Sequence, residues 1–202
     1  MRRLVFDLET TGLPRGRDKP PTDLEAYADA RVLQIAYVVC DEGWNPVSDA
    51  VSRIVRPDGF LVRGVEIHGI TPERAYAEGV PFDTAVEGFF QELAAADFVY
   101  AHNASFDVPV LASELHRRAQ PQLGQALADA GGRIRCTMLA SIAAVGARNA
   151  YGRPKWPTLA QLYARAMGPN AAMPKAHDAK WDCLNLCEAL CALRAEGLLM
   201  DL

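Results

Sequence analysis

Asp7 and Glu9 interrupt the apolar run Leu4-Val5-Phe6-Asp7-Leu8-Glu9, whose β-branched and aromatic residues otherwise read as a buried strand. Side chains on a strand alternate with a period of two, so both carboxylates leave the same face of the sheet. Uncompensated acids on a core strand are costly, and a positive charge is expected between them. Thr10-Thr11-Gly12 then ends the strand, which leaves the acids near its C-terminal end. A metal ion is the economical counter-charge. Two more acids stand at element boundaries. Asp107 lies where a strand turns into a helix, the usual place for a ligand in an open α/β sheet. Asp182 lies in the first turns of the last helix, five residues after His177. Taken singly, each reads as well as a helix N-terminal acid favoured by the helix dipole. Four carboxylates are an adequate oxygen shell for two Mg²⁺ ions, which retain waters. A pair of such ions ~3.5–4 Å apart can clamp the attacking and leaving oxygens of a phosphodiester displacement.

In their local settings these acids resemble the three motifs of the DnaQ-like exonuclease superfamily, in its DEDDh branch. The first is Val5-Phe6-Asp7-Leu8-Glu9-Thr10-Thr11-Gly12, the second Tyr100-Ala101-His102-Asn103-Ala104-Ser105-Phe106-Asp107, and the third His177-x-Ala179-x-x-Asp182. A His five residues before the last Asp marks this branch; the sister branch has a Tyr four residues before it. Ile67-His68-Gly69-Ile70-Thr71 and Arg135-Cys136-Thr137 also resemble family punctuation. The resemblance implies a ribonuclease H-like fold and a metal-dependent 3′–5′ exonuclease. Such an enzyme releases nucleoside 5′-monophosphates from single-stranded or frayed ends, with DNA favoured over RNA, although small exoribonucleases share the motifs. It implies two divalent cations, Mg²⁺ or Mn²⁺, with Asp7 bridging both, Glu9 and Asp182 completing one site and Asp107 supporting the other. His177 is implied as the general base. The same resemblance nominates Thr10, Thr11, Leu13, Asn103 and Phe106 for the terminal nucleotide; Leu13 and Phe106 read alternatively as core. His68 is a candidate border of that pocket and equally a packed histidine, and His102 packs or hydrogen-bonds beside the site. A catalytically silent binding module would show a degraded motif, and none is degraded.

One geometric expectation is independent of the family. Residues five apart on a helix differ by about 140° in azimuth, so His177 and Asp182 cannot share a helix face. His177 is therefore expected on the loop that contains Pro174, before the helix begins.

The elements that must carry these residues follow from periodicity and punctuation. A polar loop with three prolines spans 14–29, with a short helical turn at 23–27. Residues 31–41 and 47–56 read as strands joined by a turn at Gly43-Trp44-Asn45-Pro46, so three antiparallel strands are expected. Thr71 caps a helix with Pro72 at its first position. A helix over 81–96 turns Phe82, Ala85, Val86, Phe89, Phe90 and Leu93 inward. A strand at 98–101, a helix at 108–118 broken by Pro121, a strand at 133–137 and a helix through Leu139, Ile142 and Val145 come next. Thr158-Leu159-Ala160-Gln161 matches a capping box and opens a helix to about Met167. A loop over 168–175 leads to the last helix, 178–196. The class is α/β: a mixed central sheet of about five strands flanked by helices, in one domain over 1–202.

Composition narrows the setting. The chain of 202 residues is 50% hydrophobic and 23% charged, which excludes disorder. It lacks an apolar run of ~18 residues and a signal-peptide pattern, so a cytoplasmic protein without membrane contact is expected. Five cysteines without a C-x-x-C pair argue against a disulfide framework, and Cys183, Cys187 and Cys191 read as small buried side chains on one helix face. The net charge of −4 equals the charge of the four site carboxylates, so the remainder is balanced. That balance predicts little general basic surface and contact concentrated on a 3′ end. Lys155, Lys175, Lys180 and Arg153 read as a basic rim near the third motif or as a solvated face, and Trp44, Trp156 and Trp181 as structural. Partner arrangements open to such a domain are a homodimer and association with a DNA polymerase; the lack of a docking tail favours a stand-alone enzyme.

Overall fold

The computed structural model describes residues 1–16 and 18–199. Five strands form one mixed sheet in the order β3-β2-β1-β4-β5. They are β1 (Arg3–Thr10), β2 (Val32–Cys40), β3 (Val51–Ile54), β4 (Phe98–Ala101) and β5 (Ile134–Cys136). The first three run antiparallel, whereas β4 lies parallel to β1 and β5 parallel to β4. The helices are α1 (Val65–His68), α2 (Pro72–Glu78), α3 (Phe82–Ala95), α4 (Ala104–Arg117), α5 (Pro121–Asp129), α6 (Thr137–Ala140), α7 (Ile142–Val145), α8 (Leu159–Met167) and α9 (Ala179–Ala195). Among the described residues no helix is long and apolar enough to cross a membrane.

The alternation in β1 divides the core. Leu4, Phe6 and Leu8 face one layer, where Phe82, Val86, Phe89 and Leu93 of α3 pack with Val110, Leu111 and Leu115 of α4. Val5 faces the other layer, where α9 lays Cys183, Leu186, Cys187 and Leu190 on the sheet. Asp7 and Glu9 share the parity of Val5, so they point toward the α9 side. The six α3 residues expected to face inward are all buried. Cys183 and Cys187 are buried, with the Cys187 thiol 3.3 Å from that of Cys40.

Four elements depart from expectation. β3 has four residues rather than ten: its ladder with β2 covers only Val51 to Ile54, and Val55 turns to an isolated bridge with Val80. α4 starts at Ala104, not 108, since Asn103 takes φ 82° and its carbonyl accepts from the Phe106 amide at 2.7 Å. Pro121 opens α5 rather than ending structure, because proline at the first helical position sacrifices no intrahelical bond. The helix through Leu139 and Val145 is two single turns that meet at Ser141. There the Ser141 hydroxyl donates to the Met138 carbonyl at 3.2 Å, a local bond that competes with helix continuation.

Candidate active site

β4 pairs with β1 only as far as Val5 and Tyr100 and ends at Ala101 while β1 runs on to Thr10, and the cleft opens beyond the C-terminal end of β4, where such sheets place ligands. Its volume is about 480 Å³, and Asp7, Glu9, Asp107, His177 and Asp182 all line it. Carboxylate oxygens of Asp7, Glu9 and Asp182 lie within 4.8 Å of one another. β1 supplies the first two, and α9 brings Asp182 down on them from the layer above. Asp107 is buried in the first turn of α4, directly after the β4 turn. A register shift between Glu9 and Thr10 ends regular pairing where the cleft begins.

This cluster carries like charge in a poorly solvated place. Burial raises the Asp7 carboxyl well above the usual range, and Asp107, Glu9 and Asp182 push it further. Glu9 is pushed up to about 8 by burial and then by Asp182 and Asp107. Burial also lifts Asp107 to about 8, although the backbone amides of Asp107 and Leu8 favour its ionised form. Burial raises Asp182 to about 6, although the His177 amide favours its ionised form. Among the described residues no Lys or Arg forms an ion pair with any of the four. Asp182 Oδ1 is buried with no hydrogen-bond partner. An orphaned carboxylate oxygen within an all-oxygen set fits hard divalent cations, which take oxygen ligands.

His177 lies on the turn before α9, with φ 66°, and its side chain is exposed at the cleft. Its backbone amide donates to Asp182 Oδ2 at 3.2 Å, so the loop and the helix acid are tied while the imidazole stays outside the helix. Asn185 Nδ2 donates to the Pro174 carbonyl at 2.8 Å and anchors the start of this loop. Gln34, opposite Glu9 on β2, accepts from the Ala179 amide at 3.1 Å and donates to Ser52 Oγ at 3.0 Å. It clips the N-terminus of α9 to the sheet and so fixes the height of Asp182. The signal for Gln34 was a lone amide in an otherwise apolar strand.

The other nominated residues divide. Leu13, Asn103 and Phe106 line the cleft, and Leu13 is 66% exposed, which removes its reading as core. The hydroxyl of Thr10 donates to the Gly12 carbonyl at 2.8 Å, and that of Thr11 to the Asp29 carbonyl at 2.7 Å. Both therefore order the strand exit. His68 is buried away from the cleft lining. Its Nδ1 accepts from the Ile70 amide at 3.0 Å, and its Nε2 donates to the Arg63 carbonyl at 2.8 Å. His102 does hydrogen-bond at the cleft wall. Nε2 donates to the Pro157 carbonyl at 3.0 Å, leaving Nδ1 to accept from Thr137 Oγ1 at 3.1 Å, and burial holds the ring neutral, at about 4. Tyr27, Met138 and Trp156 also line the cleft and were not among the nominated residues.

The family model RNase_T, an exonuclease family, matches residues 4–190. No curated protein matches the chain by sequence. Among solved structures, E. coli exonuclease I in complex with a dT13 oligonucleotide matches with TM-score 0.71 and 19% identity, over 96% of this chain and 41% of that one. The moderately thermophilic exonuclease I of Methylocaldum szegediense matches with TM-score 0.69 and 20% identity, over 96% and 40%. A zinc-bound E. coli exonuclease I–single-stranded DNA complex matches with TM-score 0.71 and 18% identity, over 96% and 40%. At these identities the likeness is one of fold, the ribonuclease H-like mixed sheet, and the chain spans about two fifths of the length of these structures.

Proposed function

The chain belongs to the RNase_T exonuclease family, and from that membership we propose a 3′–5′ exonuclease that removes nucleoside 5′-monophosphates from single-stranded or frayed DNA ends. The observation that carries this reading is a cleft floored by four carboxylates with no cationic partner among the described residues. Asp7, Glu9, Asp107 and Asp182 would hold two divalent cations, Mg²⁺ or Mn²⁺. When bound, these supply the positive charge that a phosphodiester displacement needs around its phosphoryl oxygens. The chain's own groups do the rest. His177 accepts a proton at its imidazole from the water that attacks phosphorus. The new bond joins water oxygen to phosphorus, and the bond to the 3′-oxygen of the preceding nucleotide breaks. Asp182 fixes the His177 loop by accepting a hydrogen bond from the His177 backbone amide. Leu13 and Phe106 present apolar surface to the terminal base, and Asn103 offers a polar edge. The oligonucleotides held by the exonuclease I structures support DNA as the polymer.

Matched DNA and RNA strands, single and double, digested with Mg²⁺ and analysed for products test this reading. The expected result is mononucleotide release from single-stranded DNA 3′ ends, abolished by EDTA and by Asp7→Asn. His177→Gln should cut turnover by about 10²–10⁴, the usual share of a general base. A rate indifferent to EDTA would sink the metal mechanism, and preferential RNA digestion would replace the substrate.

A further inference from the structure

Charge is unevenly spread along this chain. Between Ala130 and His177 there is no Asp or Glu, while seven Lys and Arg residues fall there, in a protein of net charge −4. Four of the seven hold other parts of the fold, and a fifth, Arg148, donates Nη1 to the Gly152 carbonyl at 2.6 Å. Arg133 donates to the carbonyls of Leu93 and Ala96, Arg135 lies 4.8 Å from the Phe98 ring, Arg165 pairs with Glu196 at 3.0 Å, and Lys175 lies 4.4 Å from the Trp181 ring. The other three, Arg148, Arg153 and Lys155, share one hairpin and make no ion pair among the described residues.

That hairpin is built to hold its shape. Lys155 donates its amide to the Ala147 carbonyl, and Asn149 donates its own to the Arg153 carbonyl, both at 2.9 Å. The Asn149 side chain accepts from the amides of Tyr151 at 2.9 Å and Arg153 at 3.1 Å, which closes the tip. Tyr151 is 89% exposed at the tip, and Trp156 is 55% exposed at the base, where it lines the carboxylate cleft. Trp44, by contrast, is buried beside Tyr100. Core packing alone does not account for an indole more than half in water at the cleft wall.

We infer that the hairpin over 147–156 grips the single-stranded nucleic acid on the 5′ side of the scissile bond. Trp156 stacks on the base at the cleft mouth, Tyr151 on one farther out, and Arg148, Arg153 and Lys155 meet the phosphates between them. Interleaved aromatics and cations are the sequence-tolerant recipe for single strands, because every base has a flat face and every nucleotide a charge. The cleft continues into this arm through Trp156 and Pro157. Five residues of extended chain separate the two aromatics, at most ~17 Å, the length of about five stacked nucleotides. In this assignment contact extends beyond the 3′ end. The assignment rests on the exonuclease reading of the cleft.

Fluorescence anisotropy with 5′-labelled dT12 and dT3, using the full chain in Ca²⁺, tests it by binding. The variant Arg148→Gln/Arg153→Gln/Lys155→Gln should bind dT12 at least about 10-fold more weakly and lower the salt slope of log K by about 2, at ~0.7 per lost phosphate contact. Trp156→Ala should lose about 5- to 150-fold, and Trp156→Phe should recover most of it. Binding of dT3 by the triple variant should stay within about twofold of the wild type. Circular dichroism checks that each variant folds, which the exposed positions favour. Unchanged dT12 affinity and slope in the triple variant, or an equal loss on dT3, would overturn the grip. A wild type that binds dT12 through the hairpin yet digests no strand in Mg²⁺ would overturn the exonuclease reading alone.

Discussion

Glu114 is held more tightly than any acid of the cleft. It accepts from Arg31 Nε at 2.7 Å and Nη2 at 2.8 Å, and from Arg118 Nε at 2.8 Å, with 2% of the residue exposed. Arg31 also donates its amide to Thr11 Oγ1 at 2.9 Å, so this ion pair joins the exit of β1 to α4 and keeps Asp7 and Asp107 in one place. Glu114→Gln leaves a buried guanidinium without its charge partner, and should cost about 3–5 kcal/mol in urea unfolding. The guanidinium hydrogen bonds hold its carboxyl below the ordinary 4.5 against the pull of burial. A depressed folded pKa contributes stability that is present above the unfolded value and lost as pH falls through the folded one. The gap between wild type and Glu114→Gln should therefore narrow below about pH 4.5 and stay constant above it; parallel curves down to pH 3 would remove the role. Legibility at individual positions followed incompatibility. Asp7 and Glu9 stood out because acids do not belong on a buried strand. Thr10, Thr11 and His68 could not be sorted, because a hydroxyl or imidazole spent on a loop carbonyl has the same letter as one facing a ligand. The exposure of Trp156 is equally invisible in the sequence, because the letter does not tell a packed indole from one at a cleft wall.

Elements were legible where a cap or a period specified them. Thr158 and Gln161 form both bonds of the capping box, and the start of α8 follows from it. Asp178 caps α9 by accepting from the Lys180 amide at 3.1 Å, which fixes where Asp182 falls on the helix. Elements were lost where the deciding contact is distant: a cleft-facing αL residue, Asn103, started α4 early, and sheet pairing shortened β3. The seating of α3 on β2 also depends on a contact that sequence does not display. A Cβ at Gly88 would meet Tyr37 Oη at 2.3 Å, while the next atom, Tyr37 Cζ, lies at 3.5 Å. Glycine within a helix ordinarily costs about 1 kcal/mol relative to alanine, so Gly88→Ala should stabilise unless the hydroxyl intervenes. We expect Gly88→Ala to destabilise the wild type and to stabilise Tyr37→Phe by up to about 1 kcal/mol. Chemical denaturation of the four proteins in this cycle measures the coupling, and additivity would mean that α3 shifts freely over β2.

The whole molecule folds around a concentration of negative charge that nothing in its own described residues neutralises, and this makes stability depend on proton and cation supply. In the metal-free protein Glu9 and Asp107 sit near 8 and Asp182 near 6, with Asp7 also raised, against ordinary values of 4.5 for Glu and 3.8 for Asp. The folded state then binds more protons than the unfolded chain across this window, so unfolding free energy falls as pH rises from about 4 to 8. The direction is opposite to that of Glu114, and the windows barely overlap. Divalent cations bind the ionised carboxylates of the folded state, and their stabilisation follows the ligand excess, about 2.7 kcal/mol at 100 times Kd. Thermal melts in EDTA should thus show Tm dropping between pH 5 and 8. Mg²⁺ should raise Tm most at pH 8 and little at pH 5, where protons compete for the same oxygens. Asp7→Asn/Asp107→Asn should make the EDTA profile shallower, leaving the part due to Glu9 and Asp182, and abolish the Mg²⁺ increment, since the same carboxylates contribute to both. A Tm that climbs from pH 5 to 8 in EDTA, or an Mg²⁺ increment that survives the double substitution, would show that the cleft acids are neither the source of the pH dependence nor the cation's seat.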